Sequence, residues 1–126
     1  MIKRILIVGY GSIGKRHARI ARNLFPYAKI LILRHKASKK LKIQYADYFT
    51  TNLIEAVKFN PQVAVIANPA SHHINIANSF ADLGTHMLIE KPISNSSKNV
   101  LKFINKCKSK KNVLMVGYNL RFMNSL

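Results

Sequence analysis

Acidic residues are the scarcest feature of this chain. Four Asp and Glu stand against 21 Lys and Arg in 126 residues, leaving a formal charge of +17. Such a field draws anions, whether phosphates, nucleic acid or acidic lipid headgroups. Cysteine occurs once, at Cys107, which excludes an internal disulfide and fits a reducing compartment; a cytoplasmic location is the expectation. No apolar run approaches the roughly 18 residues of a membrane span, and Gly9 and Gly11 cut short the one N-terminal stretch resembling a signal core. Basic runs interleaved with base-stacking aromatics are missing, as is zinc-finger spacing. Neither a specific nucleic-acid partner, nor a membrane, nor a bound metal is therefore expected. The lysines themselves point to solvated helix faces: Lys98, Lys102, Lys106, Lys108, Lys110 and Lys111 gather on the polar side of one predicted helix and the turn after it.

What the chain does have is apolar residues, 48% of the total, enough for one globular domain but too short a chain for two. The segment Arg4 to Arg19, RILIVGYGSIGKRHAR, is the most informative. Ile5, Leu6, Ile7 and Val8 suit a strand buried on both faces. Gly9, Gly11 and Gly14 then spell G-x-G-x-x-G between that strand and a helix, the context in which the motif binds dinucleotides. Gly9 permits the tight turn, Gly11 lets the backbone approach a pyrophosphate, and Gly14 lets helix and strand pack closely. Tyr10 flanks the pyrophosphate, and the free N–H groups around Ser12, Ile13 and Gly14 face the anion.

Further along, Ile13, His17, Ala21 and Leu24 share one helical face, predicting an inward stripe on which His17 is packed and hydrogen-bonded rather than catalytic; Pro26 ends that helix. Continuous apolar runs at 29–33, 63–67, 86–89 and 113–116 predict four further buried strands, with a short one at 45–49. Thr50 or Thr51, Ser71, and Ser96 or Ser97 are the expected N-caps of the intervening helices, and Gly84 a C-cap. A short helix is expected within the basic segment after residue 34. Strands alternating with helices specify α/β architecture, a doubly wound parallel sheet in the Rossmann order 3-2-1-4-5-6, with ligand between strands one and four.

NAD-binding domains usually carry an acid about 20 residues past the glycines to accept from the ribose 2′-OH. Here that position is Arg34, and no acid follows until Asp47. An arginine fork grips a 2′-phosphate instead, with Lys36, Ser38 and Lys39 to assist, so NADP is preferred over NAD. The other possibility is that Arg34 only stacks beside the adenine and both cofactors bind.

Four pieces in this order, GYGSIGKRH at 9–17, ANPASHH at 67–73, EKP at 90–92 and GYNLRF at 117–122, resemble the N-terminal half of the Gfo/Idh/MocA oxidoreductases (glucose–fructose oxidoreductase, inositol dehydrogenase and relatives). The resemblance implies that Ala67, Asn68 and Pro69 line the cofactor, with His72 beside its ribose or pyrophosphate. It places Glu90 near the nicotinamide ribose and Lys91 beside the nicotinamide, in substrate binding and proton transfer. It also implies a Lys-Pro peptide that is often cis, and Arg121 near the cofactor. An ammonium at Lys91 can, on chemical grounds, hydrogen-bond the reacting oxygen. His73 and His86 are read as structural.

The family's reaction is hydride exchange with a secondary alcohol or ketone of a sugar, cyclitol or nucleotide-sugar. Its second domain supplies most of the substrate pocket and often an oligomer interface. Residues 1–119 are assigned here to the dinucleotide domain, and 120–126 to the start of the crossover. With the second substrate domain absent, the expectation is cofactor binding with little or no turnover, and homo-oligomer formation through exposed apolar surface. A non-enzymatic dinucleotide-binding module, sensor or structural, is the first alternative, and a charge-driven nucleic-acid-binding protein the second.

Overall fold

A computed structural model of the chain describes residues 1–38, 42–119 and 123–124. Its elements run β1 (Arg4–Val8), α1 (Ser12–Leu24), β2 (Lys29–Leu33), β3 (Tyr48–Thr50), α2 (Leu53–Phe59) and β4 (Val63–Ile66). A 3-10 turn at Ala70–His72 follows, then α3 (His73–Ala81), β5 (His86–Glu90), α4 (Val100–Ser109) and β6 (Leu114–Gly117). The strands make one sheet in the order 3-2-1-4-5-6, and every pair is parallel. This is the Rossmann-like arrangement that the alternating pattern predicts.

Helices cover the two faces of the sheet unevenly. The α2, α3 and α4 side chains pack over Leu6, Val8, Ala64, Ile66, Met87 and Ile89. Among the described helices α1 alone covers the other face, over Ile5, Ile7, Ile30, Ile32 and Val65. Ile7, Val65, Leu88 and Met115 form one row across that face. Exposure along it climbs from 0% at Ile7 to 7% at Val65 and 54% at Met115.

The buried stripe of α1 is Gly14, Ala18 and Ala21, whereas Ile13 and Leu24, expected inward, are 43% and 68% exposed. Close approach is the reason. A Cβ on Gly14 would stand 2.1 Å from the Gly9 carbonyl oxygen, so only small residues fit between helix and β1, and the larger apolar ones are displaced to the flanks.

The expected caps also shift. Asn52, not a threonine, caps α2, its Oδ1 accepting the Ile54 N–H at 2.8 Å. Thr50 accepts the Asn52 N–H and donates to Glu55. Ser71 lies exposed in the 3-10 turn, and α3 begins at His73 without a side-chain cap. Ser96 turns to its own backbone, accepting the Lys98 N–H at 3.1 Å, so α4 starts only at Val100; short polar side chains compete with helix in this way. Gly84, at φ +75, does close the turn after α3, donating to the Ala81 carbonyl. The third strand begins at Tyr48 because Tyr45, at φ +67, turns the chain out of the extended region. The described part of the basic segment after Arg34 contains no helix.

Candidate functional site

The chain leaves β1 toward β2 on one side and β4 toward β5 on the other, so a crevice opens at the C-terminal ends of β1 and β4. Backbone hydrogen bonds bring the strand ends level. Gly9 N–H donates to Leu33 O at 2.9 Å, Ala67 N–H to Val8 O at 2.8 Å, and Arg34 N–H to Thr50 O at 3.1 Å. The resulting cleft measures about 940 Å³. Its floor is Gly9, Tyr10 and Gly11, one end Arg34 and His35, and its far wall Ala67, Asn68, Pro69 and His72.

The three glycines are distinct in kind. Gly9 sits at φ +87, and a Cβ there would lie 2.7 Å from the Ala67 carbonyl oxygen; together with the crowding at Gly14, this makes two of the glycines requirements of the fold. Gly11 has φ −76 and ψ −164, which any residue adopts, and a Cβ there would meet nothing within 4 Å. The space it leaves belongs to the cleft. Ser12 and Ile13 open α1, which has no side-chain cap, so its first N–H groups are unpaired within the helix and carry the positive end of its dipole.

Among the described residues, no carboxylate lines this cleft. Asp47 is engaged near the opposite end of β2, accepting from Ile30 N–H at 2.9 Å and from the Arg22 guanidinium at 2.7 Å. Burial alone would raise its pKa, but those two donors and the nearby charges of Arg22 and Lys29 hold it below the usual carboxylate value. Asp82 pairs with Lys106 and Glu55 accepts from Thr50. Glu90 meets His17 Nε2 at 2.6 Å, so His17 is hydrogen-bonded as expected, with its partner at the end of β5. An acceptor does remain in the far wall: Asn68 Oδ1 is buried without a partner among the described residues.

Of the residues singled out in the sequence, Gly9, Tyr10, Gly11, Arg34, Ala67, Asn68, Pro69 and His72 come together around the cleft. Gly14 lies beneath the turn. Tyr10 lines the cleft while its side chain belongs to the core at 7% exposure. Glu90 ends β5 and faces Gly117, while Lys91 is exposed and joined to Pro92 by a cis peptide bond. Neither Glu90 nor Lys91 lines the cleft. Arg121 and Lys39 lie outside the described residues.

His73 has a larger part than the sequence suggested. It is 1% exposed, with Nε2 2.6 Å from the Asn68 carbonyl oxygen and Nδ1 2.9 Å from that of Pro92. One imidazole thereby joins the segment after β4 to the segment carrying Lys91. The signal was present: His73 falls in register with the buried Ala77, Phe80 and Ala81 of α3, whereas His72 does not.

An open cradle at Gly11, an uncapped helix start and an orphaned acceptor at Asn68 fit a dinucleotide lying across the ends of β1 and β4. The comparisons agree. The chain is 28% identical over 123 residues to 4-carboxy-2-hydroxymuconate-6-semialdehyde dehydrogenase of Sphingobium sp., covering 94% of this chain and 39% of that protein. Its fold matches the crystal structure of GenD2 from gentamicin A biosynthesis in complex with NAD, with a TM-score of 0.82 and 23% identity, over 98% of this chain and 36% of that one. It also matches myo-inositol 2-dehydrogenase from Lactobacillus plantarum, with a TM-score of 0.81 and 21% identity, over 99% and 39%. The chain thus spans about two fifths of the length of these relatives. Residues 3–118 match the model of the oxidoreductase family with an NAD-binding Rossmann fold, GFO_IDH_MocA, and the chain belongs to that family.

Proposed function

We propose that this chain is the dinucleotide-binding unit of an oxidoreductase that takes NADP(H) in preference to NAD(H). The observation that carries the preference is a cleft whose adenosine end presents Arg34 and His35 and whose lining, among the described residues, contains no carboxylate. A ribose 2′-OH asks for an acid acceptor there, whereas a 2′-phosphate asks for cations. Gly9, Gly11, Ser12, Ile13 and Gly14 hold the pyrophosphate. Ala67, Asn68, Pro69 and His72 form the wall along the nicotinamide half, and Arg34 grips the adenosine ribose end, aided by Lys36 and Ser38.

When bound, the cofactor supplies or accepts hydride at C4 of its nicotinamide. Lys91 hydrogen-bonds the reacting oxygen of a sugar, cyclitol or nucleotide-sugar and holds its proton, and Glu90, steadied by His17, contacts the nicotinamide ribose. Arg121 belongs near the cofactor, with residues 120–126 the start of a connection to a substrate-binding domain. Lys91 is exposed, so residues 1–126 alone turn over slowly if at all, because hydride transfer needs water excluded and substrate oriented.

Fluorescence titration with NADPH and NADH in physiological salt tests this. NADPH binds at least about tenfold more tightly, the worth of one charge-assisted hydrogen bond, and Arg34→Ala erases the difference. Equal affinities in the parent protein remove the preference. Binding of neither cofactor removes the proposal.

A further inference from the structure

We infer that Tyr10 is a specificity-determining positioning residue, which couples the pyrophosphate turn to the basic segment between β2 and β3. This rests on the proposed NADP(H) reading and deepens it. Tyr10 stands between Gly9 and Gly11, yet its side chain leaves the cleft for the core under α1. There the phenol makes two bonds to one distant residue: it donates to the Gln44 carbonyl at 2.6 Å and accepts the Gln44 N–H at 2.8 Å. A hydroxyl bonded both ways to one residue's backbone fixes the position and the orientation of that peptide segment.

The place of Gln44 makes this consequential. The return of the chain toward β3 is pinned just beyond it. Tyr45 turns at φ +67, Ala46 packs on the α1-side core, and Asp47 is bonded to Ile30 through both backbone and side chain. On the outgoing side, Arg34 is tied to Thr50. Between these anchors lie His35, Lys36, Ser38 and Lys42, all exposed, the groups available to a 2′-phosphate. Tyr10 is the anchor that reaches this segment directly from the turn holding the pyrophosphate, so it sets the distance between the two phosphate sites of one ligand. NADH carries no phosphate at the second site, and its affinity does not depend on that distance.

The test is Tyr10→Phe, which keeps the buried ring and deletes only the hydroxyl, titrated with NADPH and NADH beside the parent protein and followed by thermal melting. The expected result is a NADPH affinity about tenfold lower, the scale of one hydrogen bond's ordering, with NADH affinity within twofold and the melting temperature within a few degrees. An equal loss for both cofactors makes Tyr10 merely structural and overturns the inference, as does no loss for either. Binding of neither cofactor by the parent protein overturns the dinucleotide reading and this inference with it; equal parent affinities, with Tyr10→Phe still selective for NADPH, overturn only the preference.

Discussion

Alanine at each of the three motif glycines separates what the fold needs from what the ligand needs. At Gly14 the new methyl would sit 2.1 Å from the Gly9 carbonyl oxygen, and at Gly9 it would sit 2.7 Å from that of Ala67, at a φ of +87. All of these obstacles are backbone, so relief requires α1 to lift from β1 or the turn to open. Either costs about 3 kcal/mol or more, the range of overpacking and of forced left-handed backbone combined. Gly11→Ala meets nothing within 4 Å at an ordinary φ of −76, and the unfolded chain loses freedom. Stability should therefore hold or rise by about 0.5 kcal/mol. The same methyl occupies the approach path of the pyrophosphate and costs the ligand one or two charge-assisted hydrogen bonds of about 1.5 kcal/mol each, a loss of about 10- to 150-fold in affinity. Urea unfolding and NADPH titration on the three variants read both quantities. If Gly11→Ala unfolds as readily as Gly14→Ala, or binds NADPH like the parent, the division between the glycines is wrong.

Two predictions concern titratable groups away from the cleft. Asp47 has its pKa lowered from 3.8, so its stabilising contribution is fully present above about pH 4 and is lost as pH falls through the lower folded value. With both partners partly exposed, the pair with Arg22 is worth about 0.5–1 kcal/mol, and Asp47→Asn should cost that much at pH 7 in urea melts, with the cost shrinking as pH falls below about 4. Burial raises the Cys107 thiol above its ordinary pKa of 9.0, outweighing the opposing effects of Asn112 and Lys106. At pH 8 a thiol-disulfide reagent should label it only at the rate of unfolding, and stoichiometric labelling of the folded chain within minutes would contradict its burial.

The sheet was legible in the sequence because its central strands are buried on both faces, and unbroken runs such as ILIV at 5–8 and VAVI at 63–66 have few other uses. The glycine turn was legible for a similar reason, as Gly9 and Gly14 answer specific steric demands of the backbone and Gly11 leaves the cleft open. The packing face of α1 was not. Apolar periodicity weights large side chains, and here contact distance selected Gly14, Ala18 and Ala21 while leaving Ile13 and Leu24 outside. Serine caps misled because a hydroxyl serves a turn as readily as a helix, as Ser96 does. The ties that shape the site, Tyr10 to Gln44 and His73 to Asn68 and Pro92, join residues 34, 5 and 19 positions apart. All three end on backbone carbonyls, whose positions no side-chain pattern encodes.

The uneven helix cover bears on how the sheet comes apart. Residues 5 to 8 of β1 are sealed between two layers, whereas no residue of β6 is fully buried. Free energies of local opening follow such gradients of apolar cover. Exchange of amide hydrogens with solvent would thus be slowest at the centre, in β1 and its neighbours, and fastest at β6. The pyrophosphate turn hangs from the most protected strand, while the segments around Lys91 and Gly117 adjoin the least protected one. On the proposed reading, the turn that would hold the phosphates is the better protected part, and the segment carrying Lys91, outside the cleft, opens more readily.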